Sequence, residues 1–350
     1  MFRAIRWGLP IVIIYLIVRH LDFSALFQAL RQTNPWLAVL GLMHAPVLIL
    51  IAAYRWKDLL SQYVGRTVPF AGILRHYWIG NALGFFSPAS LGLDAYRVAA
   101  VGRRLGGYVT NIGIIFIEKL MALITCMTII AILYPIVPIA VHKDLEQVFQ
   151  LAYYLLCASL LLVAAIAAIL KNRFLSRLLN LLDGWFTRNV YRIRSKLVSE
   201  HATTPYPTLS FRQTLEPLIR PRILVVVALS FAIQFVSSVK SQIFFCALGY
   251  DLPFVVNLFA APALYFIFFL PISMGSVGIR EGVYVLLYGL FGVPAEIALL
   301  VSFFNLAGML LNSAIGGIIM FLSNMKPVTP EPSSSAIPPE ENTQFTRSFN

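Results

Sequence analysis

Charge is what this sequence has least of. Only 12% of its 350 residues are Asp, Glu, Lys or Arg, about half the share of an ordinary soluble domain. The length alone would allow two soluble domains, but too few polar side chains exist to cover two globular surfaces. Histidine and cysteine are scarce as well, at five and three residues. Cys126, Cys157 and Cys246 lie inside apolar runs with no paired spacing. Neither a disulfide framework nor a metal site is indicated, and no cofactor is expected. The chain has no H-E-x-x-H, no P-loop, no G-x-G-x-x-G after a strand and no supported Ser–His–Asp grouping, so no catalytic residues are expected. The glycines from Gly102 to Gly107 join two membrane segments and make a poor nucleotide site.

What the chain does have is apolar surface: 59% of residues are hydrophobic and the mean hydropathy is +0.80. Runs long enough to cross a bilayer, about 20 residues each, fall near 4–20, 36–54, 107–140, 150–170, 223–247 and 295–322. Two further stretches, 70–101 and 254–291, are apolar but broken by Pro, Gly and charged residues near their middles. The first run follows a basic start, as a signal peptide does. No small-x-small cleavage site follows Val18, however, and Arg19-His20-Leu21-Asp22 comes next, so it is expected to stay as an anchor.

Lys and Arg set the topology. With the N-terminus in the cytoplasm, and each broken stretch returning to its own side, most of the 27 Lys and Arg fall inside, Arg55 and Lys57 among them. Only Arg19, Arg31, Lys143 and Arg280 fall outside, and Lys119 and Lys240 stay within the membrane. A single crossing at either broken stretch would throw basic loops outward. The expected fold is therefore an all-α polytopic protein of the bacterial cytoplasmic (inner) membrane. It has six full spans plus two re-entrant broken hairpins, with both termini inside.

The segment 171–222 carries ten basic residues against three acidic ones, and Leu175, Leu178, Leu179, Leu182, Phe186, Val190, Ile193 and Leu197 recur at spacings of three or four. It reads either as an amphipathic helix on the anionic inner leaflet or as a solvated linker. No recognition motif accompanies the charge, and no nucleic acid partner is expected. The tail 326–350, rich in Pro, Ser, Glu and Asn, is expected to be disordered. Residues 1–325 form the membrane domain.

The two broken stretches share a pattern. Phe85-Phe86-Ser87-Pro88 through Arg97 and Phe268-Phe269-Leu270-Pro271 through Arg280 both read F-F-x-P-x-S-x-G-x-x-x-x-R, at a constant offset of 183, with six of thirteen positions identical. This defines an internal repeat, about 36–140 and 223–322. Three crossings separate the starts of the two copies, so they are inverted, as in many secondary transporters. Backbone broken at membrane depth must line a cavity or be buried in protein. Pro88 and Pro271 are expected to end half-helices, and Gly92, Gly275 and Gly278 to allow tight turns. The half-helices that follow would point N–H groups inward, where anions bind.

Charged residues in apolar surroundings are functional candidates. Here they are Asp94, Arg97, Glu118, Lys119, Arg280 and Glu281. Asp94 and Arg97 share a helix face, whereas the adjacent Arg280 and Glu281 should diverge and need other partners. Arg97 and Arg280 are suited to phosphate. Asp94, Glu118 and Glu281 would pair with them or carry protons. Structural ion pairing is the competing reading for all five. Lys240 sits late in its span and is expected to snorkel outward. His44 is expected to be a packing residue, and Asn81, Asn305 and Asn312 interhelical hydrogen-bond donors.

At Phe86-Ser87-Pro88 through Arg97, at Ile117-Glu118-Lys119 and at Leu270-Pro271-Ile272-Ser273 through Glu281-Gly282, the sequence resembles the lysylphosphatidylglycerol synthase transmembrane region, also called the flippase-like family. That family's pattern is roughly P-x-x-x-G-G-D-x-x-R, then E-R or E-K, then L-P-x-x-x-x-G-x-G-x-R-E-G. The resemblance covers about residues 5–322. Leu93 stands where the family has its second Gly. The resemblance implies lipid translocation, and the synthases' soluble aminoacyl-transferase domain is expected to be absent. The expected function is movement of a phospholipid, glycolipid or polyprenyl-linked lipid between leaflets, with a lipid of anionic head group as partner. The alternatives are a lipid-modifying membrane transferase or a non-catalytic partner, as homo-oligomer or in envelope biosynthesis.

Overall fold

A computed structural model describes residues 19, 21–64, 67–87, 90–102, 107–137, 150, 153, 154, 156–158, 161, 222–269 and 278–324. The expected anchor at 4–20, nearly all of the span at 150–170 and of the basic segment at 171–222, and the tail from 326 lie outside the described residues. So do Pro88, Pro271 and Gly275. Among the described residues the regular elements are all helices: α1 Phe23–Gln32, α2 Pro35–Val64, α3 Phe70–Phe85, α4 Leu91–Gly102, α5 Gly107–Leu133, α6 Ile223–Ala247, α7 Phe254–Phe269, α8 Ile279–Gly289 and α9 Ala295–Asn324.

Four of these, over Pro35–Tyr63, Asn111–Leu133, Ile223–Ala247 and Ala295–Leu322, are long and apolar enough to cross a membrane. They match four of the six expected spans. The second corrects the sequence reading. The helix does not stop near 54 but runs to Val64, carrying Arg55 and Lys57 inside it instead of into an inner loop. Ala52, Ala53, Trp56, Leu59 and Leu60 keep the apolar face going through this stretch and are buried. Both broken stretches are broken where expected: α3 ends at Phe85 and α4 starts at Leu91, while α7 ends at Phe269 and α8 starts at Ile279.

The short helix α1 is started by Asp22, whose Oδ1 accepts from the backbone N–H of Ser24 (2.8 Å) and Ala25 (3.2 Å) and from the Ser24 hydroxyl (2.6 Å). This is an N-cap. These bonds, the Ser24 hydroxyl first, hold the Asp22 carboxyl below its ordinary value. The cap is therefore complete above the ordinary carboxylate range and is lost as pH falls through the lowered value. Asp22→Ala should speed amide exchange at Ser24 and Ala25 at neutral pH, and its difference from the wild type should vanish in acid. Asn34 caps α2 in the same way, through Trp36 and Leu37 N–H.

α2 and α6 pack antiparallel. The Asn34 N–H at the start of α2 donates to Ala247 O at the end of α6 (2.7 Å), Gly41 faces the Phe244 ring, and Arg55 reaches Ser230. The halves α2–α5 and α6–α9 repeat one order: a long helix, a 16-residue helix, a break, a short helix and a long helix. Exchanging the halves maps packed pairs onto packed pairs. α3 lies on α9 as α7 lies on α5, α4 on α5 as α8 on α9, and α2 on α3 as α6 on α7.

Two apolar cores result, one at each end of the α2–α6 pair. One gathers Phe244, Phe245, Leu248, Val256, Tyr288 and Val301. The other gathers Trp56, Leu59, Leu60, Ile114, Ile117 and Val226. Between them, near the mid-lengths of α5, α6 and α9, the facing side chains turn polar.

Candidate functional site: a cationic cavity between two cores

The turn before α4 is closed locally. The Ser87 hydroxyl donates to Gly84 O (2.9 Å) and accepts the Gly92 N–H (2.7 Å). A Cβ at residue 92 would lie 2.5 Å from Leu83 O and 2.9 Å from Ser87 Oγ, so only glycine fits there. Leu93, which departs from the family pattern, packs its side chain against Gly80 and Gly84 of α3 and clamps the hairpin. At the other turn Gly278 has φ of 84°, a left-handed conformation that favours glycine. Its N–H donates to Glu281 Oε2 at 2.5 Å, so an acid in the first turn caps α8. The inward N–H groups expected to wait for a ligand thus already have internal acceptors at Gly92 and Gly278.

These turns deliver Asp94, Arg97, Arg280 and Glu281, while α5 brings Glu118 and Lys119. Arg97 is 2% exposed, and its Nη2 donates to Glu118 Oε2. Its Nη1 lies 3.6 Å from Asp94 Oδ1, so the expected pairing three residues apart is present. Its guanidinium centre stands 4.3 Å from the Trp56 ring and 4.9 Å from Tyr77, two neighbouring rings tilted 59° to each other, so it makes a cation–π contact with each. Lys119 Nζ is 2.6 Å from Asp94 Oδ2. Glu118 Oε1 accepts from Arg55 Nη2 at 2.9 Å, and Arg55 Nη1 donates to Ser230 Oγ at 2.9 Å. The buried carboxylate therefore bridges two guanidiniums from different helices.

Arg280 and Glu281 do not diverge, contrary to expectation. Arg280 Nη2 donates to Glu281 Oε1 at 2.5 Å. The Glu281 side chain turns back to cap Gly278, and this brings its second oxygen within reach of the long Arg280 side chain. Among the described residues Arg280 Nη1 meets only the Met309 sulfur, at 3.5 Å.

All this lines a cavity of about 440 Å³, within the about 300–1,000 Å³ of ligand pockets. Its wall carries Arg55, Arg97, Lys119, Lys240 and Arg280 against Asp94 and Glu118, with Tyr77, Gln234, Tyr265, Asn305 and Asn312 between them. Glu281 stands just behind Arg280. Cations exceed acids even with Glu281 included.

The sequence reading did not place Arg55 here, because hydropathy closed its span at 54; the apolar spacing running on to Leu60 was the available signal. Lys240, expected to snorkel outward, instead lines the cavity. His44 Nδ1 bonds Leu40 O within its own helix (2.8 Å), as a packing residue does. Asn312 Nδ2 donates across to Ala45 O of α2 (3.1 Å) as expected, whereas Asn305 bonds Val301 O in its own helix and presents itself to the cavity instead. Among the described residues no group of His, Cys, Asp or Glu could hold a metal ion.

No curated protein matches the sequence. The family described as the lysylphosphatidylglycerol synthase TM region matches residues 3–316, nearly the whole chain. With its all-helical build, its membrane-length helices and its charged motifs gathered on one cavity, this multi-pass membrane protein belongs to the lysylphosphatidylglycerol synthase TM region family.

Proposed function

We propose that this protein moves a lipid with an anionic head group between the leaflets of the membrane. The observation that carries the reading is the cavity: a net-cationic chamber at the mid-length of membrane-length helices, lying between two apolar cores. Charge placed there costs free energy unless it is paired or used. The antiparallel α2–α6 pair and the exchange pattern of helix packing support an inverted repeat, with 70–101 and 254–291 as re-entrant hairpins. In that arrangement one half rocks against the other around a fixed site, and a head group is handed from one side to the other while its chains stay in lipid. Six spans, an inner-membrane location and cytoplasmic termini complete the reading and rest on the distribution of Lys and Arg. The name of the family links its members to a phospholipid synthase and is consistent with a lipid as cargo.

Reconstitution into proteoliposomes with fluorescent phosphatidylglycerol tests it. The wild type should expose label to an external quencher faster than protein-free liposomes, and Arg280→Gln should slow this by about tenfold or more, as for loss of a charge-assisted bond. Equal rates for protein and empty liposomes would remove the proposal. A transferase reading would need a carboxylate free to act as base, and both oxygens of Glu118 and both of Glu281 already accept hydrogen bonds. A covalently altered lipid after incubation with the purified protein would favour that reading instead.

A further inference from the structure

The two halves of the cavity treat their cations differently. In the first half, the cation of the long helix α2, Arg55, and that of the short helix α4, Arg97, are joined by one carboxylate from α5, Glu118. In the second half the corresponding elements are α6, α8 and α9. α6 supplies Lys240 and α8 supplies Arg280, and both line the same cavity. α9 supplies Asn305, Met309 and Asn312 to the wall. Its only acid, Glu296, sits in the first turn, bound to the backbone of Asp22. No carboxylate from α9 answers Glu118.

Polar groups are left over as a result. Lys240 has no acidic partner among the described residues. Among the described residues Arg280, 3% exposed, spends one nitrogen on Glu281 and leaves Nη1 against a thioether, while its Nε lacks a partner as do those of Arg55 and Arg97. The buried Asn312 Oδ1 is also without a partner. A thioether is a weak acceptor for a guanidinium, and a buried donor without an acceptor costs free energy that a ligand can recover.

We propose that the anionic phosphate group of the ligand sits between Lys240 and Arg280, beside Met309, in the place that the Glu118 carboxylate fills between Arg55 and Arg97. The arginines of the first half already share the Glu118 carboxylate through their Nη2 atoms and act as the fixed wall. Anion selection belongs to the second half. The inference rests on the lipid-transport reading for the source of the phosphate and narrows it to one subsite. A singly charged phosphodiester satisfies both cations through its two free oxygens. The glycerol or sugar beyond it faces Asn305 and Asn312.

Met309→Glu is the decisive variant, because it places a carboxylate where the phosphate is assigned. In native mass spectrometry of the full-length protein from detergent, the wild type should retain phosphatidylglycerol in preference to phosphatidylcholine. Lys240→Gln and Met309→Glu should each weaken phosphatidylglycerol retention by about tenfold or more. Lys240→Arg should keep it, and Arg31→Gln, which removes a charge far from the cavity, should leave it unchanged. Met309→Glu should also melt at a higher temperature than the wild type, which shows that the loss of binding is not a loss of fold. Wild-type retention in both Lys240→Gln and Met309→Glu, while lipid movement in proteoliposomes persists, would overturn this subsite and leave transport standing. Binding of inorganic phosphate as tight as that of the lipid would overturn the lipid assignment. A wild type that neither prefers phosphatidylglycerol nor moves it would remove both this inference and the reading beneath it.

Discussion

Glu118→Ala should destabilise the protein by about 3–5 kcal/mol, the usual cost of stripping one partner from a buried ion pair. The reason is the number of charges that depend on this carboxylate. Its oxygens take Arg55 Nη2 and Arg97 Nη2, and the two guanidinium side chains are 7% and 3% exposed. Removing it leaves Arg55 with only the Ser230 hydroxyl, and Arg97 with Asp94 at 3.6 Å and two aromatic faces. Arg55 then has no carboxylate partner among the described residues, and Asp94 alone must serve both Arg97 and Lys119. The thermal midpoint of the purified protein in detergent reads the effect directly. The double variant Arg55→Met, Glu118→Met removes one charge of each sign and should recover part of the loss. That non-additivity is the signature of a coupled pair and not of two independent contacts. Arg97→Lys should not substitute for arginine, since an ammonium lacks the planar fork that reaches Glu118 and Asp94 with separate nitrogens beside the Trp56 and Tyr77 rings. A midpoint unchanged by Glu118→Ala would mean that the carboxylate compensates no buried charge.

The fate of Arg55 shows how far the sequence could be read. Its neighbours were legible: four membrane-length helices, two helix breaks at the repeated F-F-x-P motif, and the charged residues 94, 97, 118, 119, 280 and 281 were all marked by apolar runs interrupted in the same way. Those six side chains do gather around one chamber. Arg55 escaped because a hydropathy window treats an arginine as the end of a span. A buried arginine paired across helices looks the same in sequence as one in a loop, and only the partner, 63 residues away, distinguishes them. Arg280 and Glu281 failed for a different reason. Adjacent residues on a regular helix diverge, but these two stand in the first turn, where a side chain is free to bend back over the capped end. Helix periodicity predicts faces and says nothing of the turn where a helix begins. The exchange relation between the halves was visible as a motif repeat, yet which helix lies on which required the fold.

The second large effect is expected where the halves meet, at two adjacent glycines of α9. A Cβ built on Gly316 would lie 2.0 Å from the backbone oxygen of Trp78 and 2.8 Å from its carbonyl carbon. Both are main-chain atoms of α3, so no side-chain rotation relieves the overlap, and α9 must move away from α3. A Cβ on Gly317 meets nothing within 4 Å. Gly316→Ala should therefore cost about 1–3 kcal/mol by overpacking, while Gly317→Ala should gain up to about 1 kcal/mol from helix propensity alone. Melting midpoints of the two variants should fall on opposite sides of the wild type, although they differ by one position and carry the same added methyl. Lipid movement should separate them too. Trp78 and Ala82 on α3 flank Asn81, and Gly316 lies one turn beyond Asn312, so a wedge at this contact opens the wall that Asn81 and Asn312 share. Small residues let membrane helices approach closely where apolar burial gives them no reason to associate, and in this protein that approach sets the shape of the chamber. Equal midpoints for the two alanines would show that α3 and α9 are not held at this distance and that the chamber's wall is built some other way.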